Sequence, residues 1–96
     1  MRTYRSHEAY LAEALKDPKE AALYLNAAAR ERDPGLIIAA LAQVVKAHGV
    51  SSMARKVSLS RGGLHKTLSK KGNPEFKTLM GVLRASGLQM SFRPCA

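Results

Sequence analysis

Residues 50–74 read VSSMARKVSLSRGGLHKTLSKKGNP, and this stretch decides how the rest of the chain is interpreted. It is strongly basic and holds no acidic side chain, yet its apolar residues are regularly spaced. Leu64 and Leu68 are four positions apart, so they would share one face of a helix. Ser60 predicts the N-cap of that helix, and Gly72 predicts its end. The stretch therefore predicts a folded helix rather than a loose basic loop.

A second short helix is predicted just before the first, over SMARKV, with Ser51 as its N-cap. Ala54 in this helix is small, so another helix could cross close to it. Val57 and Leu59 bracket the turn between the two helices. Two short helices at this spacing are typical of a helix-turn-helix, whose second helix enters the major groove of DNA. The spacing therefore predicts a DNA-binding unit.

The outward face of the second helix is the predicted reading surface. Arginine can bond guanine through two parallel hydrogen bonds, and lysine, serine and histidine offer further donors to base edges. We predict base contacts by Ser60, Arg61, His65 and Lys66. The alternative is that these side chains only keep the surface soluble. For Arg61 the helix dipole disfavours a cation so near the helix start, and this misplacement favours a function.

Five residues at the edges of the two helices fit contacts to DNA phosphates. Two serines lie where the first helix begins, and the amide groups of a helix start favour an anion. Two lysines follow the second helix, where they could equally interact with the helix C-terminus. The predicted phosphate contacts are Ser51, Ser52, Lys70, Lys71 and Asn73.

Charge is distributed unevenly along the chain, whose net charge is +9. Residues 1–48 hold seven Lys or Arg and six Asp or Glu, whereas residues 49–96 hold nine Lys or Arg and one acid, Glu75. No acidic side chain lies between Asp33 and Glu75. Such asymmetry predicts a nucleic-acid surface on the C-terminal half and a different task for the N-terminal half.

The remaining sequence predicts further helices. Asp17-Pro18 and Asp33-Pro34 each place a capping residue before a proline, which suits the first helical position. The segment GLIIAALAQVVKAH carries an apolar stripe and is ended by Gly49. A last helix is predicted after Asn73-Pro74. The predicted fold is all-α, with five to six short helices.

Residues 88–93, LQMSFR, change the period of the pattern. Leu88, Met90 and Phe92 alternate with polar residues, which predicts a short C-terminal β-strand. A helical chain offers this strand no partner. We therefore expect it to pair across a homodimer or with another protein.

Length predicts a single domain over residues 1–96. Within it we place N-terminal helices at 6–33, a helix-turn-helix DNA-binding core at 34–87 and the strand at 88–93. No apolar run approaches the roughly 18 residues that a membrane span needs, and the N-terminus lacks the apolar core of a signal peptide. We expect no membrane partner.

Cysteine and histidine usage argues against catalysis. Cys95 is the one cysteine and cannot form an internal disulfide, which fits a reducing cytoplasm. His7, His48 and His65 are scattered, without metal-ligand spacing. We therefore expect a cytoplasmic protein that is not an enzyme and uses no cofactor or metal.

The chain resembles the addiction-module antidote family, antitoxins with a lambda-repressor-like helix-turn-helix. No single motif carries the resemblance, which lies in an ordered series over roughly residues 8–93. The matching segments are YLNAA (24–28), DP (33–34), AAL (39–41), HGVS (48–51), AR (54–55), LSR (59–61), LHK (64–66), GNPEF (72–76) and VLRASGL (82–88).

The resemblance implies an antitoxin that binds and neutralises a small RelE/ParE-type toxin. It also implies repression of the antitoxin's own operon by a homodimer bound to double-stranded DNA. We expect the N-terminal helices either to pack in the core or to contact the toxin. Core packing is favoured for Leu15 and Leu25, and both roles are open for Tyr10 and Tyr24. One alternative is a stand-alone helix-turn-helix repressor without a toxin.

The sequence also departs from the family pattern near the turn. Ser58 stands where the family usually has glycine, and a left-handed backbone there would cost more for serine. Gly62 and Gly63 replace two polar residues, and each glycine costs a helix about 1 kcal/mol relative to alanine. A second alternative is therefore an interaction module whose DNA reading has decayed.

Overall fold

The computed structural model describes residues 7–69 and 72–95, which form six α-helices and no strand. The predicted all-α fold of five to six helices is confirmed. No single helix in these ranges is long and apolar enough to cross a membrane, and only the bent pair Pro34–His48 and Val50–Lys56 passes that test by length and composition. The helices are α1 (His7–Ala14), α2 (Pro18–Arg30), α3 (Pro34–His48), α4 (Val50–Lys56), α5 (Arg61–Thr67) and α6 (Phe76–Ala85).

Two predicted N-caps start the long helices α2 and α3. The Asp17 carboxylate accepts a hydrogen bond of 3.0 Å from the backbone N–H of Lys19. The Asp33 carboxylate accepts one of 2.9 Å from the N–H of Gly35. A proline follows each aspartate at the helix start, where its missing N–H has no helical acceptor to lose. Both caps are confirmed as predicted.

Helix α3 is the centre of the fold because it is buried on two sides. Leu41 and Val45 belong to one apolar cluster, whereas Val44 and Ala47 belong to another. The first cluster receives side chains from α4, α5 and α6, and the second receives side chains from α2 and the segment after α1. Every other helix apart from α1 thus contributes a buried side chain to a cluster that α3 anchors.

The two clusters differ in what they position. The larger cluster holds the short helices α4 and α5, and it consists of Leu41, Val45, Met53, Ala54, Leu64, Leu68 and Val82. The smaller cluster fixes the N-terminal helices, and it consists of Leu15, Ala21, Val44 and Ala47. The predicted core role of Leu15 is confirmed by its burial, and Leu25 is partly buried and packs against both clusters, whereas Tyr10 is 55% exposed.

The junction between α3 and α4 differs from the predicted one. Helix α4 begins at Val50, and no side chain caps it, so the prediction of Ser51 as its N-cap is wrong. Gly49 alone separates the two helices, and its φ of 95° is a conformation that residues with a side chain rarely adopt. This glycine ends one helix and starts the next, with the helix axes 104° apart. A separate capping residue therefore has no place here.

The predicted C-terminal strand is not formed. Residues 88–95 have no helical or strand structure, and within the described ranges no strand is available to pair with them. The alternating pattern is nevertheless reflected in burial, since Leu88 and Met90 are half-buried while Gln89 and Ser91 are exposed. Phe92, the third apolar residue of the pattern, is 86% exposed, so the alternation matches burial only at Leu88 and Met90. A strand also requires a partner, and the described part of the chain supplies none.

Ser58 in the turn after α4 has a φ of 59°, in the left-handed region that favours glycine. The turn holds it there through a hydrogen bond of 3.2 Å from its N–H to the carbonyl of Arg55. The sequence-based concern about serine at this position is therefore justified. A left-handed conformation costs a residue with a side chain roughly 1 kcal/mol or more.

We expect Ser58→Gly to raise the free energy of unfolding by about 1 kcal/mol, because glycine adopts this conformation without strain. Thermal unfolding should show a melting temperature that is higher by about 4–8 °C. Ser51→Gly is the matched control: Ser51 is exposed in α4, and glycine there should lower stability by about 0.5 kcal/mol. A lower melting temperature for Ser58→Gly would contradict the strained turn.

Candidate functional site

The candidate site is built on α4, residues 57–60 and α5, which we call the basic helix pair. The turn is closed by backbone hydrogen bonds, including one of 2.9 Å from the N–H of Leu59 to the carbonyl of Ala54. Ala54 is buried, which allows the chain to fold back tightly against it. Leu64 is completely buried and Leu68 is 4% exposed, so α5 is fixed to the core by the two leucines that the sequence singled out.

Ser60 sets the start of α5. Its hydroxyl oxygen accepts a hydrogen bond of 2.9 Å from the backbone N–H of Gly63, which confirms the predicted N-cap. The cap uses one lone pair of the hydroxyl and leaves its O–H free to donate. All four predicted base-contact residues, Ser60, Arg61, His65 and Lys66, are exposed on the same short segment. Arg61 and His65 line one groove of α5, whereas Lys66 lines another, so the predicted residues share the helix but not a single groove.

A groove beside α5 is lined by two of the predicted site residues, Lys66 and Asn73. It has a volume of about 390 Å³, and it is lined by Gly63, Lys66, Thr67, Ser69, Gly72 and Asn73. Lys66 was predicted to contact a base and Asn73 a phosphate. At Gly72 the backbone passes so close to α5 that a Cβ there would collide with the backbone carbonyl of Thr67. The close approach of the chain at Gly72 keeps Asn73 beside α5.

A second groove contains residues that sequence reasoning missed. Its volume is about 240 Å³, and its walls bring Arg61 and His65 of α5 beside Gln43 and Lys46 of α3. Lys46 is exposed and adds a cation next to the reading surface. Nothing in the local sequence pattern identifies Lys46, because its position beside α5 depends on how α3 and α5 pack in three dimensions.

Three of the five residues predicted to contact phosphates lie within the described part of the chain. Ser51 is exposed and Ser52 half-buried, and both lie in the first turn of α4. Asn73 is exposed. Lys70 and Lys71 lie outside the described residues. The last turn of α4 adds two exposed cations that were not predicted, Arg55 and Lys56.

The two glycines of α5 have different surroundings. A Cβ on Gly62 would meet no atom within 4 Å, so this position has room for any side chain. A Cβ on Gly63 would lie 3.0 Å from the Ser60 hydroxyl oxygen, the atom that caps the helix. Gly62 therefore lowers helix propensity without a steric need for glycine, whereas Gly63 also makes space for the cap.

A second surface lies on the near-neutral half, between α2 and α3. Leu23 is 63% exposed and Leu36 is 41% exposed, which is unusual for large apolar side chains. A groove of about 350 Å³ runs beside Leu36, lined by Tyr24, Ala27, Ala28, Leu36, Ala39, Ala40 and Gln43. We call Leu23 together with this groove the apolar face. Exposed apolar surface of this kind marks contacts with another protein more often than contacts with DNA.

Comparison with known proteins gives one family. A model of the family described as "Probable addiction module antidote protein" matches residues 6–94. A protein of Haemophilus influenzae (strain ATCC 51907 / DSM 11121 / KW20 / Rd), described as an uncharacterized protein, is 43% identical over 79 residues, 82% of this chain and 81% of the relative. No solved structure matches the chain. Because the family match spans nearly the whole sequence, the chain belongs to the family of probable addiction module antidote proteins.

Proposed function

We propose that the chain is the antitoxin of a type II toxin-antitoxin module, a binding protein rather than an enzyme. It neutralises a small RelE/ParE-type toxin in the cytoplasm. It also represses its own operon as a homodimer bound to double-stranded DNA. Family membership implies a toxin partner of some kind. The toxin class, the DNA and the repression are our proposals.

One observation carries the DNA-binding part: Arg61, His65 and Lys66 are all exposed on a capped helix that Leu64 fixes in the core. We interpret the basic helix pair as a helix-turn-helix, with α5 in the major groove. Arg61 then bonds guanine, and His65 and Lys66 contact neighbouring bases. Ser60 directs its free O–H at the same groove.

Phosphate contacts hold the complex in register. In this arrangement Ser51, Ser52 and Asn73 bond the DNA backbone, and Lys46 and Arg55 supply positive charge around the reading helix. A homodimer presents two reading helices to half-sites about 34 Å apart, one turn of the double helix. Because each neutralised phosphate releases counterions, the affinity should fall steeply as the salt concentration rises.

The apolar face is the proposed contact for the toxin. It is built from α2 and α3, and none of the residues that line its groove belongs to the basic helix pair. Exposed charges of both signs flank Leu23, since Lys19 and Glu20 precede it and Arg30 and Glu31 follow it. An apolar side chain with a mixed-charge border suits a protein partner that has an apolar patch and a polar rim. Separate faces would allow toxin and DNA to bind together.

We expect Arg61→Ala and Lys66→Ala to weaken binding to DNA that carries the chain's own promoter. Loss of a bidentate guanine contact should lower the affinity of Arg61→Ala by about 10- to 100-fold. Fluorescence anisotropy with labelled promoter DNA measures this. Lys19→Ala is the control, since it removes an exposed cation from α2 and should leave the affinity unchanged. Equal binding of promoter and scrambled DNA would contradict specific recognition and favour the decayed-reading alternative.

Gly62→Glu should separate stability from DNA binding. The side chain has room, and a helix former with a negative charge near the start of α5 should raise the free energy of unfolding by about 1 kcal/mol. The same charge would face the DNA phosphates, so promoter affinity should fall. Thermal unfolding and anisotropy on one preparation measure both. Gly63→Ser is the comparison and should gain less, because its Cβ crowds the Ser60 cap.

Co-expression with the small open reading frame beside this gene tests the antitoxin part. We expect a stable complex and relief of the growth defect that the neighbouring protein causes alone. Leu23→Glu should weaken the complex, because it places a charge in the apolar face. Phe76→Glu is matched in exposure, 62% against 63%, and should keep the complex. If the wild-type chain forms no complex and does not relieve the growth defect, the antitoxin proposal is wrong and the stand-alone repressor is favoured.

A further inference from the structure

The C-terminal tail has an unpaired backbone. Its last hydrogen bond to the body of the protein runs from the N–H of Leu88 to the carbonyl of Leu83, at 2.8 Å. Beyond this point, residues 89–95 make no backbone hydrogen bond to any part of the chain that the structure describes. A stretch with free N–H and C=O groups and alternating apolar side chains is a ready template for a β-strand.

The apolar side of this tail lies beside a groove. The groove has a volume of about 390 Å³, and it is lined by Ala22, Leu25, Asn26, Ala29, Ile37, Leu41, Leu79, Leu83, Leu88, Gln89, Met90 and Ser91. Leu88 and Met90 are half-buried, but Phe92 extends beyond the groove and is 86% exposed. The ring of Phe92 is thus available for contact with another molecule, and it continues the apolar side formed by Leu88 and Met90.

The tail sequence is complementary to itself. In an antiparallel pair, residues directly opposite one another share a face of the ribbon. If two tails pair with Met90 opposite Met90, Leu88 lies opposite Phe92 and Gln89 lies opposite Ser91. Every apolar residue then meets an apolar one. A register centred on Ser91 instead would place Leu88 opposite Pro94, which has no N–H to donate.

Charge favours the same pairing. Each copy carries a net charge of +9, so two copies repel one another over most of their surface. Residues 85–92 carry no charged side chain. In the register centred on Met90, each Arg93 lies opposite Gly87 and about 20 Å from its own counterpart. The tail is thus a place where two copies can meet with little repulsion.

We propose that residues 88–93 pair antiparallel with the same residues of a second copy, about a two-fold axis at Met90. Phe92 of each copy then covers the groove of the other, beside its Leu88. The proposal deepens the homodimer of the proposed function by naming its contact surface. Its test involves neither DNA nor toxin. A dimer that forms through another surface would overturn the tail pairing alone, whereas a monomeric chain would overturn both the pairing and the homodimer.

Cysteine cross-linking tests the register. In the full chain with Cys95→Ser, Met90→Cys should form an intermolecular disulfide, because paired residues on the axis have Cα atoms about 4.5–5.5 Å apart. Arg93→Cys in the same background is more exposed than Met90→Cys but lies about 20 Å from its counterpart, so it should cross-link far more slowly despite its greater exposure. Non-reducing electrophoresis after mild oxidation of dilute protein measures both rates.

Sedimentation velocity with Phe92→Glu tests the contact itself. Because Phe92 is exposed in a single copy, this substitution should leave the helical circular dichroism unchanged. The dimer dissociation constant should rise at least about tenfold, since burial of the ring is lost and two charges are added. Phe76→Glu, an exposed phenylalanine on α6, is the control and should keep the wild-type dissociation constant.

Three results would overturn the proposal: equal cross-linking of Met90→Cys and Arg93→Cys, a dimer unaffected by Phe92→Glu, or a wild-type chain that stays monomeric. If the monomeric chain instead protects its tail amides from hydrogen exchange only when the toxin is present, the tail receives a strand from the toxin and not from a second copy. Slower cross-linking of Arg93→Cys together with a weakened Phe92→Glu dimer would establish the two-fold pair.

Discussion

The fold depends on the burial of α3 on two sides. Val44 and Val45 are adjacent in sequence, yet each is buried in a different cluster, so one helix joins both halves of the molecule. Complete burial of side chains of this size contributes about 1.5–3 kcal/mol each, which is a large share of the stability of a small protein. The position of the basic helix pair relative to the N-terminal helices therefore depends on a single apolar helix. Each short helix needs only one or two buried side chains to stay in place.

Helix α3 contributes to both candidate surfaces. Leu36 and Ala39 line the groove of the apolar face, Lys46 lies in the second groove with Arg61, and Gln43 lines both grooves. A protein that must hold a polyanion and a second protein at once avoids competition when the two contacts use different surfaces. The tail adds a third surface, which carries no charged side chain over residues 85–92 and suits contact between two copies that otherwise repel one another.

Much of this structure could be predicted because its signals are local. Asp17, Asp33 and Ser60 each cap a helix through a backbone N–H two or three residues away, so the sequence contains both partners of the bond. The leucine spacing in α5 likewise reports its buried face directly. The exposure of the four predicted base-contact residues follows from that spacing, and their role in binding DNA stays a prediction.

The failures concern relations between distant or shared elements. Ser51 has the residue type of an N-cap, but Gly49 is already the cap position of both α3 and α4. No local sequence rule shows that two helices share one residue in this way. The alternating tail indicates extended backbone without showing whether a partner strand exists. Lys46 joins the candidate site only because α3 packs against α5. In each case the decisive contact lies outside the window that a sequence pattern covers.

The junction at Gly49 also limits how this family can change during evolution. Its N–H donates a hydrogen bond to the carbonyl of Lys46, and its carbonyl accepts one from the N–H of Met53. Gly49 is therefore hydrogen-bonded to both helices, with no linker residue between them. Inserting or deleting one residue in either helix beside it would rotate the following side chains by about 100° and expose Met53 or Val45. Length variation among relatives should therefore be confined to the other connections, and this joint should stay free of indels.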